Sequence, residues 1–97
     1  MAMYVVLFNF TDQGIHNVKD TTKRAAAFTE VAKSAGVSVK DMYWTLGQYD
    51  IIAIIDAADD VAATALGLSL GKTGNVRTQT LRAFSQAEME AILSKVA

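Results

Sequence analysis

The amino-acid sequence predicts an α+β fold with the element order β-α-β-β-α-β and a third helix at its C-terminal end. Three observations carry this. Residues 3–10 and 49–57 are apolar on both of their alternating residue sets, as strands buried on two sides are. Residues 38–45 and 75–83 mix polar and apolar positions, as strands with one wet side do. Segments with helical spacing separate them. In a split β-α-β (ferredoxin-like) arrangement, right-handed crossovers place strands 1 and 3 in the centre of a four-stranded antiparallel sheet of order 4-1-3-2. The two doubly apolar strands are the first and the third, so patterning and topology agree.

Each element has a local reason. Strand 1 alternates Tyr4, Val6, Phe8, Phe10 with Met3, Val5, Leu7, Asn9, and Thr11-Asp12-Gln13-Gly14 reads as a turn after it. Asp20 or Thr21 then caps a helix whose Ala25, Phe28, Val31, Ala32 and Ala35 share one face, and Gly36 ends it. Strand 2 spans residues 38–45, and Gly47-Gln48 gives a tight hairpin into strand 3. Asp59 or Asp60 caps an uncharged helix over residues 61–70, with Ala63, Gly67 and Gly71 as a stripe open to close approach. After strand 4, Ser85-Gln86-Ala87-Glu88 is a capping box flanked by a Phe84–Met89 staple. Met89, Ile92, Leu93 and Val96 are expected to form the buried stripe of the third helix.

Composition narrows the function classes. The 97 residues fit one domain, 1–97, with 52% hydrophobic residues and a net charge of −1. Nine Lys and Arg are scattered among ten Asp and Glu, so the concentrated basic surface that nucleic acids and anionic membranes need is missing. No apolar run approaches the ~20 residues of a membrane span. Cysteine is absent, which removes disulfides and thiolate metal sites and suits a cytoplasmic protein. The N-terminus reads as a strand, without the basic start and small-residue cleavage site of a signal peptide.

Helices can cover only one face of such a sheet. The other face exposes a large apolar patch centred on Ile52 and Ile54, or else on Ile51, Ala53 and Ile55. The first set is bounded by Asp50 and Asp56, which look like a rim, so Ile52 and Ile54 are expected to meet a partner. A second copy packed sheet to sheet is the economical cover, and a homo-oligomer is therefore expected.

These residues also carry a resemblance. Gly14-Ile15 follows the first strand, Leu46-Gly47-Gln48-Tyr49-Asp50 enters the third, and Gly74-Asn75-Val76-Arg77-Thr78 precedes Thr80-Leu81-Arg82-Ala83-Phe84. Together they resemble the GYD-domain family over nearly the whole chain. That family is grouped with dimeric α/β-barrel proteins of ferredoxin-like fold, so the resemblance implies a fold and a dimer without an activity. More distantly, the chain resembles the effector domains of leucine-responsive-type regulators, which bind amino acids at subunit contacts. It lacks their DNA-binding half.

Candidate functional residues follow, each with a structural reading beside it. Tyr49 and Asp50 can recognise a small molecule through a phenol and a carboxylate; structurally, Tyr49 packs against the helices and Asp50 caps the hairpin end through backbone N–H groups. Gly47 permits the turn, and Trp44 serves as an anchor or a ligand platform. Arg77 and Arg82 lie five apart, on opposite strand faces, and Arg77 can hold a carboxylate. His16, the sole histidine, is a surface loop residue or a general base. One histidine and no cysteine give no metal set, and no cofactor is expected. Gly67-Leu68-Ser69-Leu70-Gly71-Lys72-Thr73 falls one residue short of a phosphate loop and follows a helix instead of a strand. The first reading is a homo-oligomeric module binding a small molecule at a subunit contact near residues 47–50. Its alternatives are a cofactor-free enzyme of the dimeric α/β-barrel type, an oxygenase or an isomerase, using His16 with a tyrosine, and a purely structural assembly protein.

Overall fold

Strand β1 (Ala2–Phe10) has no charged or amide side chain before Asn9, and it forms the axis of the molecule in a computed structural model covering residues 1–97. It pairs antiparallel with β3 (Ile51–Ala57) on one side and β4 (Val76–Ala83) on the other. Strand β2 (Ser38–Trp44) pairs with the outer edge of β3, giving the order β2-β3-β1-β4. The expected order 4-1-3-2 is the same sheet. The fold is ferredoxin-like α+β, with both doubly apolar strands in the centre.

Period-2 alternation divides the sheet into two faces. Tyr4, Val6 and Phe8 of β1 are buried beside Ile55, Ala53 and Ile51 of β3. Helices α2 (Thr21–Ser34) and α3 (Asp60–Gly71) lie over this face, α2 against β2 and α3 against β4, and contribute Phe28, Ala32, Ala63 and Leu66 to the core. The Phe8 and Phe28 rings meet edge to face at 5.8 Å. Asp59 caps α3, its carboxylate accepting from the Ala62 N–H at 2.9 Å. Gly36 closes α2 at φ 77°, a conformation that costs glycine little. Ile52 and Ile54 point to the other face, as expected, and are half-buried beside Leu7 and Val5.

Four expectations need correction. Residues 11–14 do not stop at a turn: Thr11 caps a short helix α1 (Asp12–His16) through a bond from the Gly14 N–H. A Cβ on Gly14 would lie 1.9 Å from the Asn75 carbonyl oxygen, so α1 sits against the start of β4 closer than any other residue allows. The tight hairpin is instead a longer loop over residues 45–50, clamped by Thr45 N–H to Asp50 O at 2.8 Å and by the Thr45 hydroxyl to Tyr49 O at 2.6 Å. Because β3 begins at Ile51, Tyr49 lies outside the strand's alternation and does not pack against the helices. Gly71 has open space where its Cβ would be and Gly67 would make only ordinary contact with Thr78, so close approach on that stripe is confined to Ala63.

The fourth correction concerns the last helix, α4 (Gln86–Leu93). Its capping box is present: the Ser85 hydroxyl accepts from Glu88 N–H at 3.1 Å, and Glu88 Oε1 accepts from Ser85 N–H at 2.9 Å. Its apolar stripe is not buried within the chain. Met89 is 46% exposed, Leu93 is 56% exposed, and Ile92 and Val96 are exposed too. The helix-covered face of the sheet is already occupied by α2 and α3, so α4 leaves β4 without a surface of its own chain to pack on.

Candidate functional site

The uncovered face of the sheet is apolar in its middle and polar at one end. Met3, Val5, Leu7, Ile52 and Ile54 are half-buried there, Leu81 is 42% exposed, and Tyr43 is exposed opposite Ile52. Asn9 and Arg77 pair across β1 and β4 at the polar end, one step beyond the Leu7–Gln79 pair. Tyr49 reaches across β1 to this group, and its hydroxyl donates to Gln79 Oε1 at 3.0 Å. Asn9 donates through its side-chain amide to Gln48 O at 2.7 Å, which fixes the loop beside it. The result is a phenol, two amides and a guanidinium bordering an aliphatic surface. Such a set can hold a polar group by hydrogen bonds while apolar surface is covered next to it.

The remaining sequence candidates do not converge on this place. Asp50 holds the sheet end: its Oδ2 accepts from the Phe10 N–H at 2.8 Å, and its own N–H donates to Phe8 O at 2.8 Å. Gly47 adopts φ 126° in the loop. Trp44 turns to the helix side, its indole N–H donating to the Thr21 hydroxyl at 3.0 Å. His16 is exposed at the end of α1. The three phenols are engaged elsewhere, Tyr4 with Asp60, Tyr43 with Asp41 and Tyr49 with Gln79, so none is paired with His16. No three His, Asp or Glu side chains come together.

Asn9 and Gln79 escaped sequence reasoning. Asn9 had a signal, as the lone amide in an otherwise aliphatic and aromatic strand, whereas Gln79 sits among polar neighbours and had none.

A second polar group lies at the opposite end of the sheet, on the helix side. The Tyr4 hydroxyl donates to Asp60 Oδ1 at 2.6 Å; this bond to a carboxylate, then burial, holds the phenol's pKa above its ordinary value. The Arg82 guanidinium lies 5.6 Å from the Tyr4 ring centre, 4.5 Å from that of Phe84, and 3.4 Å from Glu88 Oε2. Arg77 and Arg82 thus occupy opposite faces, as their spacing requires. Glu88 is held below its ordinary value, first by the Ser85 backbone N–H and with help from Arg82. This corner fixes where α4 leaves the sheet.

Fold and surface together define a small ferredoxin-like α+β domain with one uncovered apolar sheet face. The chain belongs to the GYD domain family, whose sequence pattern matches residues 4–93. It is similar to the glutamine synthetase and cystathionine beta-lyase binding protein of Thermus thermophilus, with 32% identity over 94 residues, covering 96% of this chain and 99% of that protein. No helix is long and apolar enough to cross a membrane.

Proposed function

We propose that this chain is a homo-oligomeric binding module that docks onto metabolic enzymes, and that two copies assemble through the uncovered sheet face. One observation carries the reading: five half-buried aliphatic side chains on β1 and β3, with Leu81 beside them, form an apolar face that nothing in the chain covers. A second copy is the simplest cover, because a two-fold axis lays the aliphatic middle of the face on the same aliphatic middle of its partner. The exposed stripe of α4 adds apolar area that a partner copy can bury.

The relative's name supplies the enzyme class, glutamine synthetase and cystathionine beta-lyase. Both are enzymes of amino-acid metabolism, which together with the absence of cysteine supports a cytoplasmic module. The test is analytical size exclusion of the purified chain with each purified enzyme from the same organism. Co-elution with either one supports the reading, and separate elution of both at micromolar concentration removes it.

A second reading has its own observation. The β1–β4 register sets Arg77 and Asn9 next to the Tyr49–Gln79 bond at the border of an apolar face, which suits a small molecule carrying an anionic or amide group at the subunit contact. Native mass spectrometry of protein purified without denaturation tests it, since a retained ligand appears as added mass per oligomer. A spectrum containing only the bare oligomer counts against it.

A further inference from the structure

A cavity of 190 Å³ lies on the other side of the sheet, between α2, α3 and the ends of β1 and β3. Phe8, Phe28, Val31, Met42, Ile51 and Leu66 make its apolar wall. Its polar residues are Thr21, Arg24, Ser69, Thr73 and Asn75. Arg24, which donates to Gly14 O, and Asn75, whose backbone packs on Gly14, meet at that glycine. Arg24 is half-buried, and its guanidinium donates to Asn17 O at 2.7 Å and to Gly14 O at 3.2 Å and lies 5.9 Å from the Phe10 ring centre. These contacts orient the side chain without neutralising it. The chain's two salt bridges are Lys40–Asp56 and Arg82–Glu88, so Arg24 has no carboxylate partner. The Asn75 side-chain oxygen accepts from Gln13 at 3.0 Å, while its amide N–H groups have no partner within the chain.

The geometry points to a binding site for a small monocarboxylic acid, its apolar body in the cavity and its carboxylate on Arg24 and Asn75. An oriented, half-buried cation without a counter-ion beside a mainly apolar cavity is complementary to that class, because the guanidinium fork fits a carboxylate and the wall, eleven of whose sixteen residues are hydrophobic, takes the remainder. At about 30 Å³ for each water-sized group, the cavity holds roughly six methylene-sized groups. That is the size of a medium-chain or phenyl-substituted acid. The site lies across the sheet from the self-association face, so neither reading depends on the other.

Isothermal titration of the full chain with octanoate, and separately with octan-1-ol, tests the assignment. One octanoate per chain is expected to bind saturably, at least about tenfold more tightly than the alcohol, since hydrogen bonds to a charged group exceed neutral ones by that order. Arg24→Gln should bring the acid down to the alcohol, and Ala25→Phe, which fills the cavity from α2, should remove both. Equal binding of acid and alcohol to the wild-type chain overturns the proposal, as does a lack of saturable octanoate binding. Undiminished octanoate binding by folded Ala25→Phe overturns it as well, because the acid would then sit elsewhere. The acid and alcohol comparison uses the wild-type chain alone, so the proposal remains open to refutation if a variant fails to fold.

Discussion

Gly14→Ala adds one methyl group at the place where α1 meets β4, and its cost can be worked out from the structure. The new Cβ would lie 1.9 Å from the Asn75 carbonyl oxygen, whereas ordinary contact begins at 3.4 Å, so one backbone must retreat by about 1.5 Å. Such a retreat breaks the bond from Thr11 N–H to Asn75 O at 3.1 Å and the bond from Gln13 to the Asn75 side chain at 3.0 Å. Two lost hydrogen bonds cost about 2 kcal/mol, and residual overpacking adds about 1–2 kcal/mol. Alanine's better helix propensity in α1 returns about 1 kcal/mol. The net destabilisation is therefore about 2–3 kcal/mol, which at a slope of roughly 2 kcal/mol per molar urea lowers the midpoint by about 1–1.5 M. Urea unfolding followed by circular dichroism at fixed protein concentration reads this directly. If α1 were loosely held, only the propensity term would remain and the alanine variant would be slightly more stable than wild type, a result that refutes the close-contact argument.

Further outcomes follow from other contacts. Ser85→Ala removes half of a capping box and should cost α4 about 1 kcal/mol; amide exchange in α4 should quicken about fivefold, while unchanged exchange would show the cap to be idle. Glu88 has a folded pKa below its unfolded value, so its contribution to α4 is complete above about pH 4.5 and is lost as pH falls through the lower folded value. Carboxyl titration by NMR should place Glu88 below 4.5 and show Arg82→Ala raising it only partway, because the Ser85 N–H contributes most. Asp50→Ala leaves the Phe10 N–H without its acceptor and should lower stability by about 1 kcal/mol in urea unfolding. Ile55→Lys puts an ammonium where the side chain is 1% exposed and should yield an unfolded chain by circular dichroism.

The strand order and the facing of β3 are legible because a central strand must be apolar on both sides and because Asp56, within the strand, marks the set without helices. The capping box was legible because all of its parts lie within four residues. What escaped depends on contacts far apart in sequence. α1 reads as a turn until Asn75, about sixty residues on, is seen to fill the space beside Gly14. Alternation extended two residues ahead of Ile51, where β3 begins, puts Tyr49 on the wrong face. The α4 stripe shows where periodicity stops: it reports that a face is apolar and cannot report whether the same chain has a surface left to cover it. The cavity beside Arg24 is a gap between two helices and two strands, and no local pattern encodes a gap.

The central claim is that the uncovered sheet face joins copies of the chain. Ile54 sits in the middle of that face, half-buried, opposite Val5 on β1 and Asp41 on β2. In a monomer, lysine at this position can extend its ammonium into water, whereas in a sheet-to-sheet contact it is an unpaired charge in a desolvated surface. Sedimentation equilibrium of Ile54→Lys beside wild type, with both folded by circular dichroism, is the most direct measurement. An oligomer for the wild-type chain and a monomer for the variant are the predicted masses. A variant that sediments with the mass of the wild-type oligomer, or a wild type that is itself monomeric, contradicts the account.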